Sequence, residues 1–275
     1  MDVQTVSCVV FSPTGTTKKI AESITRALNP DNIEMIDITQ ASRREGATLQ
    51  FENQTVVLAV PVYYGRVPEV VVECFTNIQA KQVCAIPVVV YGNRDYEDAL
   101  RELFDLAMAA NMTPLAGGTF VAEHSYSSVQ RPIAHGRPDE TDLSTSKEFG
   151  LAVRNKLKHI ISLDDIESLS VPGNFPYLVP ENLNMLKKFR EVVALTPETD
   201  LSMCTECGEC VEVCPTEAIS SEDVTQTDRW KCLICFACVK TCPESARSMD
   251  EPNFQGAIQA LYESCKSRKG NEWFI

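Results

Sequence analysis

Eight cysteines in the C-terminal third of this chain are spaced as two copies of one pattern. The first copy begins at Cys204 and the second at Cys232, and each has the form C-x2-C-x2-C-x3-C-P. The second copy repeats the first at an offset of 28 residues. A cubane cluster needs a thiolate on each of its four irons, and three closely spaced cysteines can wrap one corner of the cube. The repeated spacing therefore predicts two [4Fe–4S] clusters.

The fourth cysteine of each copy cannot easily fold back onto the same cube, and in this motif it binds the other cluster. We therefore predict two ligand sets that each draw on both copies. The first set is Cys204, Cys207, Cys210 and Cys242. The second set is Cys232, Cys235, Cys238 and Cys214. Pro215 and Pro243 follow the crossing ligands, and their fixed φ turns the chain there.

Residues 198–251 resemble a bacterial two-cluster ferredoxin, and this resemblance implies a small α+β domain. One departure is Arg247, which stands where the first copy has Ile219. We expect this departure to affect packing and not ligation. Zinc is an alternative, but structural zinc sites usually pair two C-x2-C knuckles across a longer gap. Disulfides are a second alternative, and they would require an exported protein.

A hydroxyl-rich loop joins the first predicted strand, residues 5–11, to a helical stretch at 18–28. A helix N-terminus offers unpaired N–H groups, hydroxyls add donors, and glycine lets a ligand approach the backbone. The loop is similar to the S/T-x-T-G-x-T loop of flavodoxins, which holds the phosphate of FMN. The alternative is an N-capped helix, because Ser and Thr are favoured caps. The predicted phosphate ligands are Ser12, Thr14, Gly15, Thr16 and Thr17.

Strand and helix patterns alternate through the N-terminal part of the chain. The first strand is apolar without alternation, as in a strand buried on both faces of a parallel sheet. Such alternation predicts an α/β fold with a doubly wound sheet. The similarity to flavodoxins implies a five-stranded parallel sheet with the order 2-1-3-4-5. Ligands of such sheets bind at the switch point between the first and third strands. The further predicted strands are 33–38, 55–60, 84–91 and 115–123.

The loops after the third and fourth predicted strands are rich in Gly, Tyr and polar residues. Tyrosines can stack on or edge a flavin ring, glycine can present its peptide to the reactive ring nitrogen, and Asn and Arg can hydrogen-bond the polar rim. Packing is the alternative for each of these side chains, and we favour it for His124 after the fifth strand. The predicted flavin contacts are Pro61, Val62, Tyr63, Tyr64, Gly65, Asn93, Arg94 and Tyr96.

The chain is acidic, with 275 residues and a formal net charge of −13. This charge argues against a nucleic-acid partner, because phosphate binding needs Lys and Arg. Residues 200–251 hold eleven Asp and Glu against four Lys and Arg, a net of −7, which indicates either plain solubility or a docking face for a basic redox partner. No apolar run approaches membrane-spanning length and no basic region precedes the first one, so we expect a cytoplasmic protein.

Along its whole length the chain resembles bacterial flavodoxin–ferredoxin fusion proteins called ferrodoxins. The motifs that carry the resemblance are SPTGTT, PVYYGR, YGNRDYEDAL, EHSYS, VPGN and the two cysteine copies. The resemblance implies FMN and two clusters in one chain. We expect a flavodoxin-like FMN domain at 1–162, a linker at 163–197, the ferredoxin domain at 198–251, and a C-terminal helix with a docked tail at 252–275.

These cofactors predict an electron-transfer protein that couples a two-electron carrier to one-electron carriers. We predict no catalytic acid, base or nucleophile. A second interpretation is a ferredoxin-fed, flavin-dependent reductase of a small acceptor such as a quinone. A third is a binding module in which the cysteines hold zinc, and such a protein would be colourless.

Overall fold

The structure is a computed structural model that describes residues 4–44, 46, 48–178 and 181–275, without the side chains of 181–183. Residues 1–3, 45 and 47 of the predicted first domain and 179–180 of the predicted linker therefore lie outside the described residues. The N-terminal elements are β1 (Thr5–Val10), α1 (Thr16–Leu28), β2 (Asn32–Asp37), α2 (Ala41–Arg44), β3 (Gln50–Pro61), α3 (Glu69–Phe75), β4 (Gln79–Tyr91), α4 (Ala99–Ala109), β5 (Met112–Pro114), β6 (Gly117–Val121) and α5 (Glu140–Leu157).

The central sheet runs in the order β2-β1-β3-β4-β6, and all of these neighbours are parallel. The predicted flavodoxin-like α/β fold is confirmed. The fifth predicted strand, 115–123, is observed as the shorter β6, and a further short strand, β5, precedes it and pairs with an earlier part of β4. The chain leaves the ladder between them at Leu115 and Ala116, which are fully buried in the core.

Alternate residues of β1 belong to two different cores, which explains why apolar residues occur on both faces of this strand. Val6, Cys8 and Val10 pack with α1 and α5 on one face of the sheet. Val9 and Phe11 belong to the opposite core, where α3 and α4 pack. Because both faces are covered by helices, an inner strand shows no polar alternation. The loops at the carboxyl ends of the strands are left to form sites.

The C-terminal elements form a small cysteine-rich domain and two segments that follow it. Their two-stranded ladder, β7 with β8, is antiparallel. The short helices α7 and α8 begin at matching positions of the two copies. In the described residues, no helix is both long and apolar enough to cross a membrane. The elements are a 3₁₀ helix (Leu163–Asp165), α6 (Glu181–Val192), β7 (Glu198–Thr199), α7 (Glu209–Glu212), α8 (Ala237–Thr241), β8 (Arg247–Ser248), α9 (Pro252–Ser264) and β9 (Glu272–Phe274).

The C-terminal tail returns to the first domain as β9, a strand that the sequence patterns do not predict. It pairs antiparallel with β6 and covers the edge of the sheet. Trp273 of this strand packs its ring against Phe149, with 6.0 Å between ring centroids. An uncovered edge strand would present unpaired backbone groups to other chains. With β9 included, the sheet is mostly parallel and has one antiparallel strand at its edge.

An apolar cluster joins the cysteine-rich domain to the flavodoxin-like domain. Tyr126, from the loop after β6, packs its ring against Phe236 at 4.7 Å and against Phe254 at 5.3 Å between centroids. Lys240 also donates to a Glu123 carboxylate oxygen at 2.7 Å across the same interface. The buried centre of the cluster is Leu195, Ile234, Phe236, Met249, Phe254 and Ile258.

Candidate functional site

The eight motif cysteines line two separate cavities, four in each. Every set takes three cysteines from one copy and one from the other, as a crossed pair of four-iron clusters requires. In the described part of the chain, no three His, Cys, Asp or Glu side chains converge as they would on a single metal ion. Four cysteines in each set match the four thiolates that a [4Fe–4S] cluster needs. The first cavity is lined by Cys204, Cys207, Cys210 and Cys242, and the second by Cys214, Cys232, Cys235 and Cys238.

Backbone N–H groups donate to four of the cysteine sulfurs, in pairs related by the repeat. Glu206 and Ile234 both have a left-handed backbone, with φ of 56° and 54°, which accompanies the bond to the cysteine two residues earlier. Such bonds orient a thiolate and stabilise its charge. The bonds run from Glu206 to Cys204 and Ile234 to Cys232, both 3.4 Å, and from Ala218 to Cys214 and Ala246 to Cys242, 3.2 and 3.3 Å.

The two cysteine sets differ in their surroundings. Cys207 is exposed, and Glu206 and Glu209 line the same cavity. Cys235 and Cys238 are buried, and burial raises the pKa of their thiols to about 12 and about 11. A buried thiolate is poorly solvated, so an iron cluster held here would supply the positive charge that keeps these thiols deprotonated.

A larger cavity of about 260 Å³ lies where the carboxyl ends of β1, β3, β4 and β6 meet the cysteine-rich domain. This is the switch-point position at which doubly wound sheets bind ligands. Most of the residues that the sequence predicts for FMN line this one cavity. They are Thr14, Thr16, Thr17, Pro61, Val62, Tyr63, Tyr64, Gly65 and Arg94.

One corner of this cavity is the N-terminus of α1. Its N-cap residue is Gly15, with φ of 81°, and no side chain caps the helix from that position. Ser12 accepts a hydrogen bond from Lys18 N at 3.1 Å. The first N–H groups of a helix have no partner within the helix. No acidic residue lies in the first turn of α1. Ser12 and Gly15 shape the loop without lining the cavity, and the corner suits an anion such as a phosphate.

The segment after β3 makes a tight turn beside the cavity. Tyr63 and Arg66 exchange backbone hydrogen bonds of 2.9 and 3.0 Å. Tyr64 and Gly65 between them have φ of 55° and 76°, and a Cβ at Gly65 would overlap the Glu97 carboxylate. Glycine is therefore required at that position. Burial raises the pKa of the Tyr63 and Tyr64 phenols. Both side chains still have some accessible surface, because they line an internal cavity.

His124 also lines the cavity, which the sequence analysis did not favour. Burial lowers its pKa to about 4, and the charges of Arg94 and Lys240 add to this effect. Its Nδ1 accepts a hydrogen bond from Tyr126 N at 3.0 Å, so the neutral ring carries its proton on Nε2. A Cβ at Gly92 would overlap the imidazole, so this glycine lets the ring approach. The cavity thereby gains a neutral N–H donor.

Asn93 and Tyr96, which the sequence predicts as flavin contacts, do not line the cavity, and their side chains bind elsewhere. The Asn93 amide donates to the carbonyls of Cys265 and Ser267, both at 2.8 Å. The Tyr96 hydroxyl donates to a carboxylate oxygen of Glu272 at 2.8 Å. Both side chains therefore bind the C-terminal tail. No local sequence signal indicates that this tail returns to the loop after β4.

The wall of the cavity opposite the flavodoxin loops comes from the C-terminal half of the chain. Leu233 and Ile234, which lie between two predicted iron ligands, line it directly. Burial is the main cause of the raised Tyr63 pKa, and the charge of Cys235 is the second. The two side chains therefore lie within electrostatic range of each other. This wall depends on domain docking, which the spacing of motifs cannot show. Its other members are Leu186, Phe254, Ala257, Ile258 and Leu261.

A family model described as a 4Fe–4S dicluster domain matches residues 196–243. The cysteine-rich domain is thus a 4Fe–4S ferredoxin-type domain. The comparison with curated proteins gave no match.

Several solved structures align with the N-terminal part of the chain. A flavodoxin from the domain Archaea has 16% identity and a TM-score of 0.35, and the alignment covers 57% of this chain and 99% of that one. A Fusobacterium nucleatum flavodoxin bound to flavin mononucleotide has 15% identity and a TM-score of 0.37, with 56% and 97% covered. An azoreductase from Bacillus anthracis str. Sterne has 12% identity and a TM-score of 0.36, with 56% and 99% covered. The fold assignment rests on the strand order described above.

Proposed function

We propose that this chain is an electron-transfer iron–sulfur flavoprotein with FMN in the 260 Å³ cavity and a [4Fe–4S] cluster at each cysteine set. Bound FMN exchanges two electrons and can release them singly, while each cluster carries one. One observation carries the proposal. Leu233 and Ile234 line both the FMN cavity and the cavity of the Cys232 set. A single loop therefore separates the two predicted cofactors.

The chemistry of the cavity fits FMN at both of its ends. Thr14 and Thr16 lie beside the free N–H groups of α1 and would hold the phosphate. Tyr63 and Tyr64 would flank the ring, since aromatic faces suit a flat conjugated ligand. His124 would donate its Nε2–H to the polar rim of the ring. The cavity thus supplies an anion corner, an aromatic wall and a neutral donor.

The Cys204 set faces outward, and we propose that a basic redox protein docks there. Cys207 is exposed, and the acidic Glu206 and Glu209 lie beside it. Leu201 and Met203 are also exposed, with 68% and 45% of their surfaces accessible. Acidic groups around an apolar patch provide charge complementarity and apolar contact for a basic partner. The buried Cys232 set would then link this face to the FMN cavity.

Anaerobic purification followed by iron, sulfide and flavin analysis tests this function. We expect a brown protein with one FMN and about eight iron and eight sulfide ions per chain, as two [4Fe–4S] clusters require. A colourless protein that contains zinc would overturn the proposal. Rapid turnover of a quinone with reduced ferredoxin as donor would instead favour the ferredoxin-fed reductase.

The phosphate corner has a separate test. Replacing Thr14 or Thr16 by Val should remove a charge-assisted hydrogen bond worth about 1.5–3 kcal/mol and weaken FMN binding roughly tenfold or more. Riboflavin lacks the phosphate, so it is the matched control ligand and its affinity should change little. An equal loss for FMN and riboflavin would mean that these threonines shape the loop and do not hold phosphate.

A further inference from the structure

The two cluster cavities differ by one buried charge at a matching position. Arg247 has 3% of its surface exposed and lines the cavity of the Cys204 set. Its counterpart in the first copy, 28 residues earlier, is Ile219, which is 4% exposed and lines the cavity of the Cys232 set. Arg247 is therefore a departure from the repeat at a position that faces a cluster.

The guanidinium of Arg247 is held by neutral groups alone among the described residues. No carboxylate forms an ion pair with it, and its buried Nε–H has no acceptor within the described chain. A buried charge is costly unless an anion lies beside it. The guanidinium donates from NH1 to Val224 O (2.8 Å) and Thr199 Oγ1 (2.9 Å), and from NH2 to Thr227 Oγ1 (2.9 Å) and Pro197 O (3.1 Å).

A four-iron cluster held by four thiolates is such an anion, and its negative charge grows by one unit on reduction. We propose that Arg247 is the internal counter-ion of the Cys204 cluster, donates its Nε–H toward that cluster and raises the reduction potential. Reduction adds one electron to the cluster. No bond to Arg247 forms or breaks, and the guanidinium keeps its proton. This inference rests on the proposed function, because it requires the cluster.

The effect of the charge is strongest at the first cluster. Arg247 lines the cavity of the Cys204 set and not that of the Cys232 set. Glu206 and Glu209 line the same cavity and act in the opposite direction. Arg247 thus offsets the acidic surroundings of the exposed cluster.

The test is an anaerobic redox titration of the intact holoprotein followed by electron paramagnetic resonance. Arg247→Gln removes the charge and should lower the reduced-to-oxidised ratio of the Cys204 cluster at least tenfold at a fixed potential, which is 59 mV for a one-electron couple. Arg247→Lys keeps the charge and should shift the ratio less. The Glu206→Gln, Glu209→Gln double variant identifies the Cys204 signal, because it should move that signal in the opposite direction.

A structural role for Arg247 predicts a different pattern. If the lysine and glutamine variants shift the signal equally, or if only the other cluster responds, the counter-ion assignment is overturned. Should Arg247→Gln fail to load iron, Thr227→Asp places a carboxylate against the guanidinium, and Thr227→Asn is its neutral control. The Asp variant alone should lower the potential, and equal effects would also overturn the proposal. Iron and sulfide analysis of the unmodified protein reports separately on whether the clusters exist.

Discussion

The two cysteine copies share a backbone but not an environment. Left-handed residues recur at matching positions, Glu206 with Ile234 and Gly208 with Phe236. The N–H···S bonds recur in the same register. Around this common frame the first copy is acidic and reaches the surface at Cys207, whereas the second is apolar and packs against the flavodoxin-like domain.

This difference shows that the cysteines and the residues between them have separate effects. The spacing of cysteines determines where iron can bind and which cysteines share a cluster. The residues between them determine what each cluster faces. Leu233 and Ile234 occupy the positions that Thr205 and Glu206 occupy in the first copy, and only the apolar pair lines the FMN cavity. Two equivalent sites thereby have different surroundings, the proposed docking face on one side and the proposed FMN cavity on the other.

The largest effect should come from iron removal, which we expect to unfold both cysteine copies. The ladder between β7 and β8 has two residues in each strand, and about 50 residues form a marginal core without added ligation. Ligation free energy is therefore folding free energy. Chelation under reducing conditions should abolish amide-exchange protection over 200–251 and spare β1 and β4. Protection that persists in the second copy alone would show that domain packing holds it without iron.

Truncating Phe236 should be the next largest change, because its ring packs between Tyr126 and Phe254. Phe236→Ala should cost about 3–5 kcal/mol, as for other buried phenylalanines. The matched control is Gly208→Ala at the equivalent position, where a Cβ meets no atom within 4 Å. The Gly208→Ala variant should lose roughly 1–2 kcal/mol of stability, which is the cost of placing a Cβ on a left-handed backbone. Urea unfolding of the holoprotein measures both, and equal losses would mean that the copies are packed alike.

A pH dependence of stability should arise from His124, which lies on the side of the second copy. Burial lowers the pKa of His124 from 6.5 to about 4, so between these values the unfolded state binds more protons than the folded state. Stability should therefore fall as pH falls through this window, by up to about 3 kcal/mol. His124→Asn removes the titration while its side-chain oxygen can still accept from Tyr126 N. An unchanged slope of unfolding free energy against pH in this variant would contradict the assignment.

The sequence predicts what depends on local spacing and periodicity. The buried run of β1, the loop before α1 and the crossed cysteine sets are each specified within short segments, because strand burial, helix termini and cluster ligation act over a few residues. The alternation of strands and helices then limits the sheet to a small number of orders. The observed order is one of them.

What escapes prediction depends on how distant segments dock. Asn93 and Tyr96 have the residue types of flavin contacts, but the returning tail takes their hydrogen bonds. In the sequence, Leu233 has no feature that sets it apart from other apolar residues. It lines the cavity only because the cysteine-rich domain packs there. Arg247 is visible as a departure from the repeat, yet its uncompensated charge is apparent only once its neighbours are known. Tertiary contacts, not residue types, assign these roles.

The smallest effect should come from the acidic residues of the first copy, which are its clearest difference from the second. Replacing Glu206 and Glu209 by Gln removes two charges beside the Cys204 cluster, and reduction then meets less repulsion. Both carboxylates are exposed, so water and salt screen them to about 0.2–1 kcal/mol each, on the order of tens of millivolts. The potential of the Cys204 cluster should rise while that of the Cys232 cluster stays nearly constant, and the shift should shrink at high salt. Asp31→Asn, an exposed acidic site on the flavodoxin-like domain, should move neither signal. If both clusters shifted equally, the charge would act through the whole protein, and the acidic surroundings would not distinguish the two copies.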